Sequence, residues 1–403
     1  MKRKSCLICS STRLTKILDL GSHPFADTFV PKERLNDGLY IYNLSCNRCD
    51  KCGQIQTSSE TRPSDRYSLF DYSYTSSNSK TSVNHWMSYI SEVAAKTDLK
   101  EGQFVIDIGS NDGLLLRCFR QQIYTDGIGV DPSPYMATLA EKEGVSTVVD
   151  VFSSKISNEI IKKYGKANVV VANNVFNHAE DPVDFAKAVY NVLTDEGKFV
   201  FELPYWKCSV ESGKFDQIYH EHVSYFTATS SKNLMDAAGF VITSIEVVDY
   251  HGGSLRVYAS KEKDAKQCKN LEPMIKKESH LFKKNTYTKL MKTMAEKKFK
   301  LLKKIYDIKN DGGKIIAIGA AAKGNTLLNY LSLDNSIIDW VTDTSEHKCG
   351  KRTPLSNIPI CNDDILSEYN EVYALILSWN LSDKIKKKLL GINSKIKFLN
   401  FYD

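Results

Sequence analysis

The stretch Val105-Ile106-Asp107-Ile108-Gly109-Ser110-Asn111-Asp112-Gly113 decides how this chain folds. The β-branched run from Phe104 to Ile108 reads as a buried parallel strand. Two glycines then bracket small polar residues, and Leu114-Leu115-Leu116 opens a helical pattern. Strand, tight glycine turn and helix make a geometry in which backbone comes close to a ligand. The spacing is not the dinucleotide fingerprint G-x-G-x-x-G, and it lacks the Lys-Ser/Thr ending of a phosphate loop. Downstream, Gly127-Ile128-Gly129-Val130-Asp131 reads as a second strand closing on an acid, where a carboxylate can accept hydrogen bonds from ribose hydroxyls.

Working outward, strands and helices alternate from about Lys100, as a doubly wound sheet requires. Thr147-Val148-Val149 is followed by Asp150-Val151-Phe152, a position suited to meeting an adenine. Asn168 to Asn174 is a fourth strand ending in Val175-Phe176-Asn177-His178, and Gly197 to Pro204 is the next. Residues at the carboxyl ends of such strands face the ligand crevice, which makes His178 a candidate. An amphipathic helix from Val83 to Lys96 leads into this unit.

At 403 residues the chain exceeds one ordinary core, so two or three domains are expected. Hydrophobic content of 42% with 25% charged residues fits a soluble globular protein. No apolar run is long enough to span a membrane, and the opening residues do not lead into a signal peptide's apolar segment. The net charge of +6 is modest, and lysines concentrate between Lys261 and Lys309. No basic stripe accompanies a nucleic-acid reading motif. Attraction to an anionic small substrate such as a nucleotide diphosphate is the milder reading.

Of the ten cysteines, Cys6, Cys9, Cys46, Cys49 and Cys52 crowd the start, and the others are scattered singly. A disulfide framework would need a small exported domain, so reduced thiols in a cytoplasm are expected. Cys6-Leu7-Ile8-Cys9 and Cys49-Asp50-Lys51-Cys52-Gly53 are two knuckles able to offer four thiolates to a closed structural zinc site. Cys46 also has knuckle spacing to Cys49. We prefer Cys49 and Cys52 because Gly53 lets the chain turn and point amides at the sulfurs. A redox pair is the competing use. Between the knuckles, Leu18 to Gly21 and Tyr40 to Leu44 read as short strands. Beyond them, Tyr72 and Tyr74 share a strand face in Tyr72-Ser73-Tyr74-Thr75-Ser76-Ser77, as core or as phenols for a ligand.

The densest polar cluster is Tyr219-His220-Glu221-His222-Val223-Ser224-Tyr225-Phe226, and its groups suit proton transfer near neutral pH. His220 and His222 lack the helical spacing of a zinc pair. As a strand, Tyr219 and Glu221 would line one face and the histidines the other; as a loop, that separation dissolves. His251-Gly252-Gly253-Ser254-Leu255-Arg256 follows, with Arg256 a candidate phosphate partner and Leu255 to Ala259 alternating like a closing strand. Lys269 to Asp307 reads as solvated basic helices. Then Lys314 to Gly319, a turn carrying Lys323, and Ile338 to Asp343 echo the first motif, so a second doubly wound unit is expected. Its glycine turn suits a diphosphate at a helix N-terminus.

The loop around Gly109 with Asp131 resembles the S-adenosylmethionine site of class I methyltransferases. By that resemblance Asp107, Gly109 and Gly113 shape the methionine pocket, Asn111, Asp150, Val151 and Asn173 line the site, and Asp131 holds the ribose. Add the cysteine knuckles, the Tyr72–Ser77 stretch, Tyr219-x-Glu221-His222, the His251–Arg256 segment and Gly319 to Asn329. In that order, these motifs resemble the three-domain sugar C-methyltransferases of deoxysugar biosynthesis. The resemblance implies an α/β chain: a small zinc-binding N-terminal domain (1–70), a class I methyltransferase Rossmann-like domain (71–260) and a second Rossmann-like C-terminal domain (261–403). It implies S-adenosylmethionine and structural zinc. The implied substrate is a nucleotide-linked 4-keto sugar (dTDP-, GDP- or CDP-linked), with neither nucleic acid polymer nor membrane as partner. His222 would take the C3 proton, and Tyr219, Glu221 and His178 would position the sugar or its oxygen. Tyr74, or Tyr72, would complete the pocket, and Lys323 and Asn325 would meet the diphosphate. An O-methyltransferase on this scaffold and a non-catalytic zinc-headed binding protein are the alternatives.

Overall fold

The structure is a computed structural model that describes residues 2–61, 80–250, 252–262 and 264–402. Tyr72, Tyr74 and His251 lie outside the described residues. The head is built on β1 (Leu14–Pro24), β2 (Ile41–Cys49) and β3 (Ile55–Thr57), paired antiparallel in that order. Both predicted head strands are present and longer than expected, because the pairing continues past a bulge on either side of Leu18 to Asp19.

After the helix Lys80–Thr97 comes β4 (Phe104–Ile108), with the bounds read from the sequence, then helix Leu114–Ile123 and β5 (Asp126–Val130). β6 (Thr147–Val148), β7 (Ala167–Asn173) and β8 (Leu193–Pro204) follow, with helices between them. The short β9 (Ser224–Tyr225) leaves this unit to pair with β3 of the head. β10 (Val241–Val248) and β11 (Ser254–Ser260) return as a hairpin against β8. The central sheet therefore runs β10-β11-β8-β7-β4-β5-β6, parallel except for that hairpin. Strand order reverses between β4 and β7, so the crevice at their carboxyl ends is where a ligand fits. Val105, Ile106, Val170 and Val171 are fully buried, as a strand covered on both faces demands.

Helices Leu271–Lys277 and Lys284–Asn310 lead to β12 (Ile315–Ile318), β13 (Trp340–Thr342), β14 (Ile360–Cys361), β15 (Val372–Ile376) and β16 (Ile396–Asn400). They form a second, all-parallel sheet in the order β14-β13-β12-β15-β16. The second doubly wound unit is present. One apolar cluster joins Leu18, Phe29 and Leu44 of the head, Trp206, Phe215 and Ile218, and Leu327, Leu328 and Leu375 of the last unit. The three parts share core. Among the described residues no helix is long and apolar enough to cross a membrane.

Candidate active site

The loop after β4 is shaped by its own backbone. Gly109 sits at φ +72°, and a Cβ there would lie 2.1 Å from Val175 Cγ2, so a side chain at this position would be strained and would have to displace Val175 just past β7. Asp131 accepts from the Asn111 N–H at 2.9 Å and from the Ser133 N–H at 2.9 Å, which locks the acid at the tip of β5 to the loop. Burial, with Asp131 and Asp112 close by, pushes the Asp107 carboxyl well above its usual range. Burial likewise raises Asp131, against the two N–H groups that favour its charge. Three carboxyls around one glycine loop suit a ligand with cationic groups, and S-adenosylmethionine has an ammonium and a sulfonium. Asn173 ends β7 beside Glu202 on β8. Asp150 and Val151 lie past β6 with exposed side chains, Val151 at 56%.

Across the crevice, residues 219–222 form a turn closed by His222 N–H to Tyr219 O at 3.0 Å, and only Ser224 and Tyr225 are strand. The turn brings Tyr219 and His222 together, where a strand would separate them. His222 Nδ1 lies 2.9 Å from the Gln217 carbonyl, which can only accept, so Nδ1 carries the proton of the neutral ring. Nε2 is then the basic atom, and the Tyr219 hydroxyl donates to it at 2.6 Å. His178 leaves a 3-10 turn (Phe176–His178) after β7 and meets the His222 ring edge-on, centroids 4.9 Å apart. Glu221 accepts from the Asp27 N–H of the head at 3.1 Å. His220 is buried at 1% exposure, with Phe25 and Tyr42 rings 5.8 and 5.9 Å away.

In the head, the sulfurs of Cys6, Cys9, Cys49 and Cys52 all lie within 4.8 Å of one another. Cys6 and Cys52 are 3.4 Å apart and Cys9 and Cys49 3.6 Å. Tetrahedral zinc–thiolate bonds would set them about 3.8 Å apart, so the set fits zinc. The Ile8 N–H points at the Cys6 sulfur, 3.4 Å away. Cys46 is excluded by strand geometry: an odd offset from Cys49 along β2 turns it to the other face. There burial raises its thiol, and Tyr225 is its neighbour.

Three family models match in tandem: a zinc binding domain over residues 6–67, a methyltransferase domain over 81–245 and a C-methyltransferase C-terminal domain over 249–399. Together they give the chain the domain order of a zinc-headed three-domain C-methyltransferase. It is an S-adenosylmethionine-dependent methyltransferase carrying a structural zinc site. C-methyltransferase NovU of Streptomyces niveus is 27% identical over 386 residues, spanning 94% of this chain and 90% of that protein. The magnesium protoporphyrin IX methyltransferase of Synechocystis, solved with S-adenosylmethionine bound, is 14% identical over 45% of this chain and 79% of its own, with a TM-score of 0.34. A methyltransferase of Clostridium acetobutylicum is 16% identical over 45% of this chain and 92% of its own, with a TM-score of 0.36.

Two expected substrate contacts of the methyltransferase are corrected. Arg256 is 2% exposed on β11, its Nε bonded to Glu202 at 2.7 Å and its guanidinium also held by Glu92, so it is an internal ion pair rather than a phosphate partner. Asn325 is 1% exposed and donates to the Ala26 carbonyl at 2.6 Å, so it ties the last unit to the head. Lys323 is half-buried in helix Ala322–Leu331 and bonded to Asn380 Oδ1 at 2.8 Å. Gln217 escaped the sequence reading because it acts through its carbonyl, which no side-chain pattern reveals.

Proposed function

We propose that this methyltransferase acts on a nucleotide-linked 4-keto deoxysugar, removing the proton at C3 and methylating the resulting enolate. The observation that carries this reading is the Gln217–His222–Tyr219 relay, an imidazole held at Nδ1 by a carbonyl with Nε2 against a phenol beside the cofactor crevice. A carbon acid next to a ketone needs such a base and a donor for the oxygen on which charge develops. His222 Nε2 accepts the C3 proton, and the Gln217 carbonyl steadies the imidazolium through Nδ1–H. The Tyr219 hydroxyl, released from Nε2, donates to the enolate oxygen. His178 packs on His222 and borders the pocket, and Glu221 fixes the turn through the head. Asp107, Gly109, Asn111, Gly113, Asp131 and Asn173 would hold S-adenosylmethionine, which when bound offers a sulfonium-activated methyl group. Lys323 would face the diphosphate. The similarity to C-methyltransferase NovU favours carbon over oxygen as the methyl acceptor.

The test is incubation with labelled S-adenosylmethionine and a panel of nucleotide-linked 4-keto sugars in heavy water. The C3 proton is expected to exchange and the label to appear on that carbon. His222→Ala should lower both by about 10²–10⁴-fold while cofactor binding persists. Methyl on oxygen without exchange at C3 would replace this reading with O-methylation.

A further inference from the structure

Between the central unit and the last one lies a cluster that the relay does not use. The Lys214 ammonium stands 4.2 Å from the centre of the Trp379 ring, and that of Lys323 stands 5.1 Å from the same ring. Trp379 itself donates through Nε1 to the Asp216 carboxylate, which is wholly buried. Gly252, at φ +85°, brings backbone against this group so closely that a Cβ would lie 2.6 Å from the indole and 2.9 Å from Lys214 Nζ.

Charge here is unbalanced. Asp216 answers Lys323, whose ammonium burial pushes down to about 8, with Lys214 adding repulsion. Among the described residues Lys214 makes no ion pair; its contact is the indole face. The ring faces attract both ammonium groups, so two like charges converge on one indole above a single carboxylate. An ordinary surface lysine would turn into water instead. Lys214 also begins the short segment through the 3-10 turn Phe215–Gln217 to Tyr219 and His222, so it reaches the catalytic turn from the same piece of chain.

We infer that Lys214 and Lys323, gathered on Trp379, form a two-cation clamp for the diphosphate of the substrate, one lysine from each side of the cleft. The inference rests on the nucleotide-linked substrate proposed above and adds Lys214 and Trp379 to its binding site. A diphosphate's oxygens would take charge-assisted hydrogen bonds from both ammonium groups, and the sugar beyond it would extend toward Tyr219. Because the two lysines come from different units, the substrate would draw those units together.

The test is calorimetric titration of the intact, zinc-loaded protein saturated with S-adenosylhomocysteine, using thymidine, guanosine and cytidine diphosphates and the matching nucleosides. At least one diphosphate should bind the wild type. Lys214→Gln should weaken it about tenfold or more, the worth of one hydrogen bond to a charged group. The nucleoside should bind both proteins alike, and Lys214→Arg should keep most of the affinity. Uptake of S-adenosylhomocysteine reports that each variant is folded. Equal diphosphate affinity in Lys214→Gln and wild type, or equal weakening toward the nucleoside, would overturn the clamp and leave the nucleotide-linked reading standing. A wild type that takes up S-adenosylhomocysteine but none of the diphosphates would remove that reading and the clamp with it.

Discussion

The proton on His222 Nδ1 is held by a main-chain oxygen, so the basicity of Nε2 depends on where Gln217 sits and not on what its side chain is. The same turn reaches into the head, where Glu221 grips the backbone of Asp27. Burial raises the Asp27 carboxyl to about 6, against the pull of Lys348 and with the push of Asp343. An unfolded aspartate titrates near 3.9, so between about pH 4 and 6 the folded chain binds more protons and loses stability as pH rises. Asp27→Asn cannot ionise. It should melt about 2 °C above wild type at pH 8 and level with it near pH 4, measured by calorimetric scans across that range. An equal difference at both pH values would mean that ionisation is not the cause.

At the level of elements, β2 settles which cysteines converge. Period-2 alternation sends Cys46 to the interior beside Tyr225 while Cys49 turns to Cys6, Cys9 and Cys52. Cys49→Ser should therefore lose bound zinc and unfold the head, whereas Cys46→Ser should keep the zinc content of wild type. Metal analysis after gel filtration separates the two, and zinc loss in Cys46→Ser would contradict the strand register. The sequence pattern of Phe104–Ile108 is readable because a buried parallel strand needs a nearly continuous apolar run, broken here by Asp107 alone. Residues 219–226 were ambiguous, since strand and turn make opposite claims about Tyr219 and His222. The turn prevails because β9 pairs with β3, a partner far away in the chain.

Over the whole molecule, the head is gripped from both sides. Glu221 takes the Asp27 N–H and Asn325 donates to the Ala26 carbonyl, while Thr326 Oγ1 donates to the Ile218 carbonyl and ties the two gripping units to each other. Removing the Asn325 amide leaves a buried carbonyl unsatisfied, at a cost of about 1–3 kcal/mol. Asn325→Ala should lower the melting temperature, raise hydrogen exchange at residues 25–27 and reduce methyl transfer while leaving cofactor affinity intact. Unchanged exchange there would show that the junction does not depend on this bond.

The sequence by itself determined the two doubly wound units, the glycine loop and acid of the cofactor site, and the cysteine knuckles. Each is a local pattern in which period, spacing and turn residues lie within one short segment. It also singled out Tyr219 and His222, but not their hydrogen bond. Tertiary structure alone decided that Arg256 is spent on Glu202, that Asn325 holds the head, and that Lys214 and Lys323 meet on Trp379. The physical reason is common to all three. A charged or amide side chain reads the same whether it faces a ligand or a buried partner, and only the folding together of distant segments supplies that partner.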